Sequence, residues 1–349
     1  MRKLSIILIL LLLLPSCARK NETVRFIFMT DMHVESDFME RGRPCYDHYQ
    51  VGNHASLERT FQFINEDPFC SKAGFILLGG DNINTGYARE QADLEAEMVN
   101  YHRLMDMLDQ SHNQKDLDSF RLEAPESYIC KENIAPDQEP MLFHSPALTS
   151  HVIAIQGNHD TDVPEFYRDC AFQYGGIRFI CFFAYYCALP APPGKYRSTG
   201  AISDDTYNFV RDQVMRAAAD PSIRQTVLVC HWGIVTDPEK FKNPIVDACE
   251  ANGWNDNRAK LLALAEEYGI RLYISGHEHN DKYPVGKVGQ LYDINCGSLA
   301  EGKWSVVEIS PDKALFHVYT RAQAAYAEDG SVVFTALPEK VETIEIPLD

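Results

Sequence analysis

Five stretches of this sequence end a run of apolar residues on a polar tip of Asp, His or Asn. They are Asp31-Met32-His33, Gly80-Asp81, Gly157-Asn158-His159-Asp160, Cys230-His231 and Gly276-His277-Glu278-His279. The tips offer Asp31, His33, Asp81, Asn158, His231, His277 and His279, which is two carboxylates, one amide and four imidazoles. Carboxylate and imidazole together suit the borderline ions Mn, Fe and Zn better than Ca or Mg. Seven donors are too many for one such ion and suit two that share a carboxylate and a water. A pair of that kind makes hydroxide available near neutral pH and clamps the oxygens of a transferring phosphoryl group.

The tips need rigid elements behind them. Residues 24–29, 75–78, 151–156, 177–183, 227–230 and 271–275 read as strands, short apolar runs bounded by Gly and polar residues. Helical patterns cover 56–65, 89–109, 204–219 and 258–268. The second places Leu94, Met98, Tyr101, Met105 and Leu108 on one face. Ser203 or Asp204 is the expected N-cap of the third, and Gly269 closes the fourth. Strands dominate afterwards, at 291–295, 304–309, 316–320 and 332–335. This order predicts an α/β molecule with mixed layers around two sheets. It places the polar tips at strand C-terminal ends, where open α/β sheets bind ligands. Residues 110–149 and 234–257 have no period, and we expect an insertion in the first stretch and a lid built from both.

The bulk properties narrow the surroundings. A formal charge of -18 over 349 residues disfavours nucleic acid as a partner. Arg2 and Lys3, a short apolar run to Leu14, and Pro15-Ser16-Cys17 form a secretory signal. Its end resembles a bacterial lipoprotein box, which implies removal of residues 1–16, acylation of Cys17, and a lipid-anchored place in the bacterial cell envelope, periplasmic or at the outer membrane. A plain secreted protein is the alternative. Nine cysteines then remain, an odd number, in a compartment that permits disulfides. Cys181 and Cys230 lie in apolar runs and read as small buried hydrophobes.

The five blocks, in this order and spacing, resemble the calcineurin-like metallophosphoesterase superfamily over about residues 24–320. The resemblance implies a four-layer α-β-β-α sandwich of two mixed sheets, formed by one domain over residues 24–349 with an insertion at about 110–149. It implies that Asp31, His33 and His279 hold one metal, that Asn158, His231 and His277 hold a second, and that Asp81 bridges them. His159 is implied to be the catalytic proton donor, with Asp160 orienting it. Glu278 is expected to be aimed away from the metals. The implied activity is hydrolysis of phosphomono- or phosphodiesters by a bridging hydroxide, on a small molecule or a lipid head group. A non-catalytic envelope binding lipoprotein on the same scaffold is the second reading. The stretch from Gly80 to Gly86 lacks the Asp-Arg-Gly of the protein phosphatases. Asn84 stands where purple acid phosphatases have a tyrosine, and His33 occupies a position they lack. Gly52-Asn53-His54 repeats the Gly-Asn-His string out of order, and His54 reads as the start of a helix.

Overall fold

The computed structural model describes residues 22–35, 53–84, 91–109, 117–130, 141–160, 163–189, 197–237, 240–241, 243–249, 253–280, 282–327, 329 and 331–349. The signal segment and Cys17 lie outside them. The principal strands are β1 (Val24–Met29), β2 (Ile76–Leu78), β3 (Val152–Ala154), β4 (Cys170–Tyr174), β5 (Ile177–Cys181) and β6 (Gln225–Val229). They continue with β7 (Leu272–Ser275), β8 (Val285–Val288), β9 (Leu291–Asn295), β10 (Lys303–Ile309), β11 (Lys313–Thr320) and β12 (Lys340–Pro347). The helices are α1 (Asn53–Glu66), α2 (Gln91–Asp109), α3 (Asp204–Ala219) and α4 (Asn257–Glu267).

Two six-stranded mixed sheets result, in the orders β12-β11-β10-β1-β2-β3 and β8-β9-β7-β6-β5-β4. Alternation along each strand explains the layers. In β1, Phe26 and Phe28 enter a cluster with Leu77, Phe179, Val227, Val229 and Ile274, which joins the two sheets. Ile27 and Met29 face the other way, onto Leu57, Phe61 and Ile64 of α1 and Leu104 and Leu108 of α2. Across the molecule, Ile180, Leu228 and Tyr273 turn outward to Val210 and Val214 of α3 and Leu261 and Leu264 of α4. This is the four-layer sandwich the resemblance implied. Both faces of each sheet are covered here, so the central strands are mostly apolar, with Arg25 and Arg178 the charged exceptions in β1 and β5. Each fully buried side chain of this kind contributes roughly 1.5–3 kcal/mol.

The registers aim the tips. β1, β2 and β3 run parallel, as do β5, β6, β7 and β9. The first sheet therefore delivers Asp31, Asp81 and Asn158 beyond its strand ends, and the second delivers His231 and His277. Backbone bonds tie neighbouring tips, Asp31 N to Gly80 O at 2.9 Å and Gly276 N to His231 O at 2.9 Å.

Several local features differ from the sequence reading. α1 starts at Asn53, ahead of the expected start at 56, and His54 lies in its first turn, as expected. Part of the expected lid is core, because Phe120 is buried between the sheets and packs edge-on against Phe75. Within the same stretch, Ser127–Cys130 pairs with Met141–His144 as a short hairpin. Beyond β5, Tyr185–Leu189 pairs antiparallel with Arg197–Ala201 as a second short hairpin. A disulfide, Cys187 to Cys249, fastens that hairpin to the loop after β6. Cys181 and Cys230 are buried free thiols, as expected. Ser203 is the N-cap of α3, accepting the amide of Thr206 at 3.0 Å.

Candidate metal centre

Two groups of side chains converge at this rim. The donor atoms of Asp31, His33, Asp81 and His279 all lie within 4.8 Å of one another, as do those of Asp81, His231 and His277. Asp81 belongs to both groups. In the first, His279 Nε2 lies 3.0 Å from Asp31 Oδ1 and 3.1 Å from His33 Nε2. In the second, His231 Nε2 lies 3.2 Å from Asp81 Oδ2. Asp31, His33, Asp81 and His231 are almost wholly excluded from solvent.

The backbone is bent to reach this arrangement. Asp31, His33, Asp81, His277 and His279 all have positive φ, between 46° and 72°. That region disfavours ordinary side chains, and such outliers cluster where function over-determines the structure. Glycine makes room beside them. A Cβ on Gly157 would fall on the Asp81 carboxylate, and one on Gly276 on Thr30 Oγ1.

Hydrogen bonds fix the donors from outside. Asp31 Oδ2 accepts from Thr30 Oγ1 at 2.6 Å and from the amide of His277 at 3.0 Å. Asp81 Oδ1 accepts the amide of His159 at 2.8 Å. His231 Nδ1 faces the carbonyl of Gly79 at 2.9 Å, which turns Nε2 toward Asp81. His279 Nδ1 faces Glu301 Oε1 at 3.3 Å.

Burial opposes ionisation of Asp31 and Asp81, but the imidazoles around them, His231 foremost, outweigh it and hold both carboxyls below the ordinary range. Burial drives His33 and His277 down to about 3. His231 rises to about 9 and His279 to about 10, burial there being outweighed chiefly by Asp81 and Asp31 respectively. The buried atoms Asn158 Oδ1 and His277 Nε2 make no hydrogen bond. Unpaired buried polar atoms are costly, and a cation is a partner that satisfies an amide oxygen and a neutral imidazole together. The donors present therefore fit a metal.

His159 lies beside the groups, its ring edge-on to His33 at 4.8 Å and its Nε2 3.9 Å from Asp81 Oδ2. One expectation needs correction. Asp160 does not orient His159, because its carboxylate is taken up by the amides of Asn82, Ile83 and Gly157. The ring is held by the carbonyl of Asn84, 2.9 Å from Nδ1. Glu278 turns away from the groups, accepting the amide of Asn243 at 2.7 Å. Trp232 is fully buried with its ring centroid 3.7 Å from that of His277. Glu301 and the Asn84 carbonyl escaped sequence reasoning. Neither carries a local pattern, though Glu301 lies in the turn just beyond Asn295-Cys296-Gly297-Ser298 at the end of β9.

Known proteins place this arrangement. The family model described as calcineurin-like phosphoesterase matches residues 24–281. No curated protein matches in sequence. Among solved structures, the purple acid phosphatase PPD1 of yellow lupin (Lupinus luteus) seeds aligns with TM-score 0.50 and 11% identity, over 94% of this chain and 54% of that one. This chain thus spans about half of the lupin protein's length, and the likeness is one of fold. GAP50, the anchor in the inner membrane complex of Plasmodium, aligns with TM-score 0.43 and 12% identity, over 94% of this chain and 89% of that one. Vps29 of Entamoeba histolytica, complexed with Zn2+, aligns with TM-score 0.35 and 12% identity, over 93% of this chain and all of that one, 100%. With the family model covering most of the chain, and a cluster of Asp and His side chains able to bind metal at its strand ends, the chain belongs to the calcineurin-like phosphoesterase family.

Proposed function

We propose that this protein is a binuclear metal-dependent phosphoesterase that hydrolyses phosphomono- or phosphodiesters. The observation that carries the reading is Asp81, shared by two groups of donors. Asp31, His33 and His279 would hold one ion and Asn158, His231 and His277 the other, with Asp81 common to both. Their chemistry suits Mn, Fe or Zn. Ions held there would supply charge stabilisation for the phosphoryl oxygens and would acidify water near them.

The chain's own residues do the rest. His159 donates a proton from Nε2 to the leaving oxygen, a role that fits its partial exposure at the edge of the groups. Asn84 fixes that ring by accepting from Nδ1–H, which leaves Nε2 as the atom facing substrate. The Asn82, Ile83 and Gly157 amides hold Asp160, and the segment from Gly157 to Asp160 is thereby locked to the Asp81 turn. Trp232 and the sheet core keep bulk water from the inner side of the donors.

The same proposal places the protein in the bacterial envelope, tethered through acylated Cys17, with a phosphoester small molecule or lipid head group as substrate. Among the described residues no helix is long and apolar enough to cross a membrane. Incorporation of labelled fatty acid into the wild-type chain, and its loss in Cys17→Ser, is the expected result. The enzymatic reading is tested by elemental analysis after loading with Mn, Fe or Zn, together with turnover of p-nitrophenyl phosphate and bis-p-nitrophenyl phosphate. About two metals per chain and hydrolysis of at least one ester are expected. Less than one metal with neither ester hydrolysed sinks the proposal.

A further inference from the structure

The two groups of donors differ in what stands behind their histidines. His231 leans on a neutral backbone carbonyl, that of Gly79, at 2.9 Å. His279 leans on a carboxylate, Glu301 Oε1, at 3.3 Å. Glu301 is an exposed residue whose side chain is 29% accessible, and its backbone is clamped to the first group. Its amide faces Ser298 Oγ at 3.3 Å, and that hydroxyl donates to the carbonyl of Asp31 at 3.0 Å. The amides of Leu299 and Ala300 bind the carbonyls of Thr30 at 2.9 Å and Asp31 at 3.0 Å. The turn that carries Glu301 is therefore fastened to the residue whose carboxylate His279 meets on its other side. Behind Glu301 lies Arg321, a buried guanidinium that feels the Glu301 charge and whose amide binds Gly302 O at 2.9 Å.

We propose that Glu301 is a positioning residue for the first metal position: it accepts Nδ1–H of His279, fixes the tautomer that presents Nε2 beside Asp31 Oδ1, and makes the first position the tighter of the two. A carboxylate on the outer nitrogen orients a ligating imidazole and raises its basicity, and loss of such a partner costs about 10–100-fold in metal affinity. A carbonyl fixes orientation but carries no net charge. The asymmetry in histidine support, which adds to that of Asp31 against Asn158, is built from one residue 22 positions after the histidine it serves. This inference rests on the binuclear reading above.

The test uses the full chain loaded with Mn2+ and dialysed against graded chelator, with bound metal counted by elemental analysis. Wild type is expected to release its two equivalents in separate steps. Glu301→Gln, which keeps an acceptor but removes the charge, should release the tighter equivalent at about 10–100-fold lower chelator strength while the other is unmoved. Glu301→Asp should recover part of the loss. In a His279→Ala background Glu301→Gln should add nothing, because Glu301 acts through that ring. Release curves of Glu301→Gln that superimpose on wild type, or in which both equivalents shift together, overturn the assignment. Both results leave a two-metal wild type standing. A wild type that binds no metal overturns the binuclear reading and Glu301's role with it.

Discussion

The two halves of the centre are built from different materials. Around Asp31, His33 and His279 the polar atoms meet one another, with His279 Nε2 3.0 Å from Asp31 Oδ1. Serine, threonine and glutamate hydrogen bonds back them. Around Asn158, His231 and His277 the backing is a glycine carbonyl and the face of Trp232, and Asn158 Oδ1 and His277 Nε2 have no hydrogen-bond partner. The first half can satisfy itself as an imidazolium–carboxylate pair, which is why Asp31 raises His279 to about 10 against burial. The second half has a longer pair of the same kind, His231 Nε2 lying 3.2 Å from Asp81 Oδ2, while burial leaves His277 at about 3, as it does His33 in the first half. A protein with two positions can thus hold one ion firmly and the other more loosely, with the difference written both in the ligands, Asp31 against Asn158, and in the groups behind them.

Asp81 is the one donor that belongs to both halves, so its loss should abolish the contrast altogether. Asp81→Asn keeps an acceptor for the His159 amide and removes the shared charge. Both metal equivalents and all turnover above background should disappear together, measured by elemental analysis and ester hydrolysis on the same preparation. One retained equivalent would mean that the halves bind independently. His159→Ala should act on neither half. It is expected to lower turnover by about 10²–10⁴-fold, the usual worth of a positioned proton donor, with metal content unchanged. Turnover equal to wild type would remove His159 from the mechanism or assign the activity to a contaminant.

A smaller and one-sided effect is expected from packing. A Cβ at Gly200 would lie 2.9 Å from Trp232 Cγ and 3.1 Å from the Ala184 Cβ. Gly200→Ala should push Trp232 against His277 and cost about 1–3 kcal/mol as overpacking. The weaker metal equivalent should loosen further while the tighter one, held through Glu301, keeps its chelator midpoint. Equal loosening of both would erase the proposed division between the halves.

The sequence shows the donors more readily than their supports, for physical reasons. Asp31, Asp81, Asn158, His231 and His277 each follow an apolar strand, and strand, glycine and polar tip are all local signals. The four helices are equally local, down to the Ser203 cap. Contacts across long separations leave no such trace. Glu301 reaches His279 only because β9 runs parallel to β7 and its turn folds over the end of β1. The bond between Cys187 and Cys249 needs the hairpin and the loop after β6 to be adjacent in space. β12 was missed because it is an edge strand in which Ile346 alone is fully buried, too few apolar residues to show a period. Asp160 was misassigned because proximity in sequence to His159 suggested a side-chain bond, whereas three backbone amides compete for that carboxylate at shorter reach.

The sheet that carries the second half has buried acids at it, Asp169 and Asp293, and the first of them extends the comparison to stability. Asp169 accepts the amide of Phe183 at 2.9 Å, just beyond β5, and Thr206 Oγ1 at 3.1 Å in the first turn of α3. Burial pushes its carboxyl up to about 6, against the pull of the Phe183 amide and the Arg168 charge, with Asp205 adding to the rise. The thiols of Cys170 and Cys230, also facing it, are both raised and stay protonated across this range. A folded pKa above the unfolded one means that the folded state holds the proton longer. The contribution of Asp169 is therefore fully present below about 3.8 and lost as pH rises through about 6. The change is roughly 3 kcal/mol at most, from about 1.4 kcal/mol per pH unit of displacement. Glu308, in the sheet of the first half, has the opposite sign. Despite partial burial, His317 and Arg25 hold its carboxyl low, so its contribution is present above the ordinary glutamate range and fades as pH falls through the lowered value. Asp169→Asn should flatten the decline in denaturation midpoint between pH 4 and pH 7 relative to wild type while leaving in place the acid limb, to which Glu308 contributes. Turnover at neutral pH should hardly change, since Asp169 supports the strand end and touches no donor. Parallel pH profiles for the two proteins would show that Asp169 ionises as freely in the fold as in water.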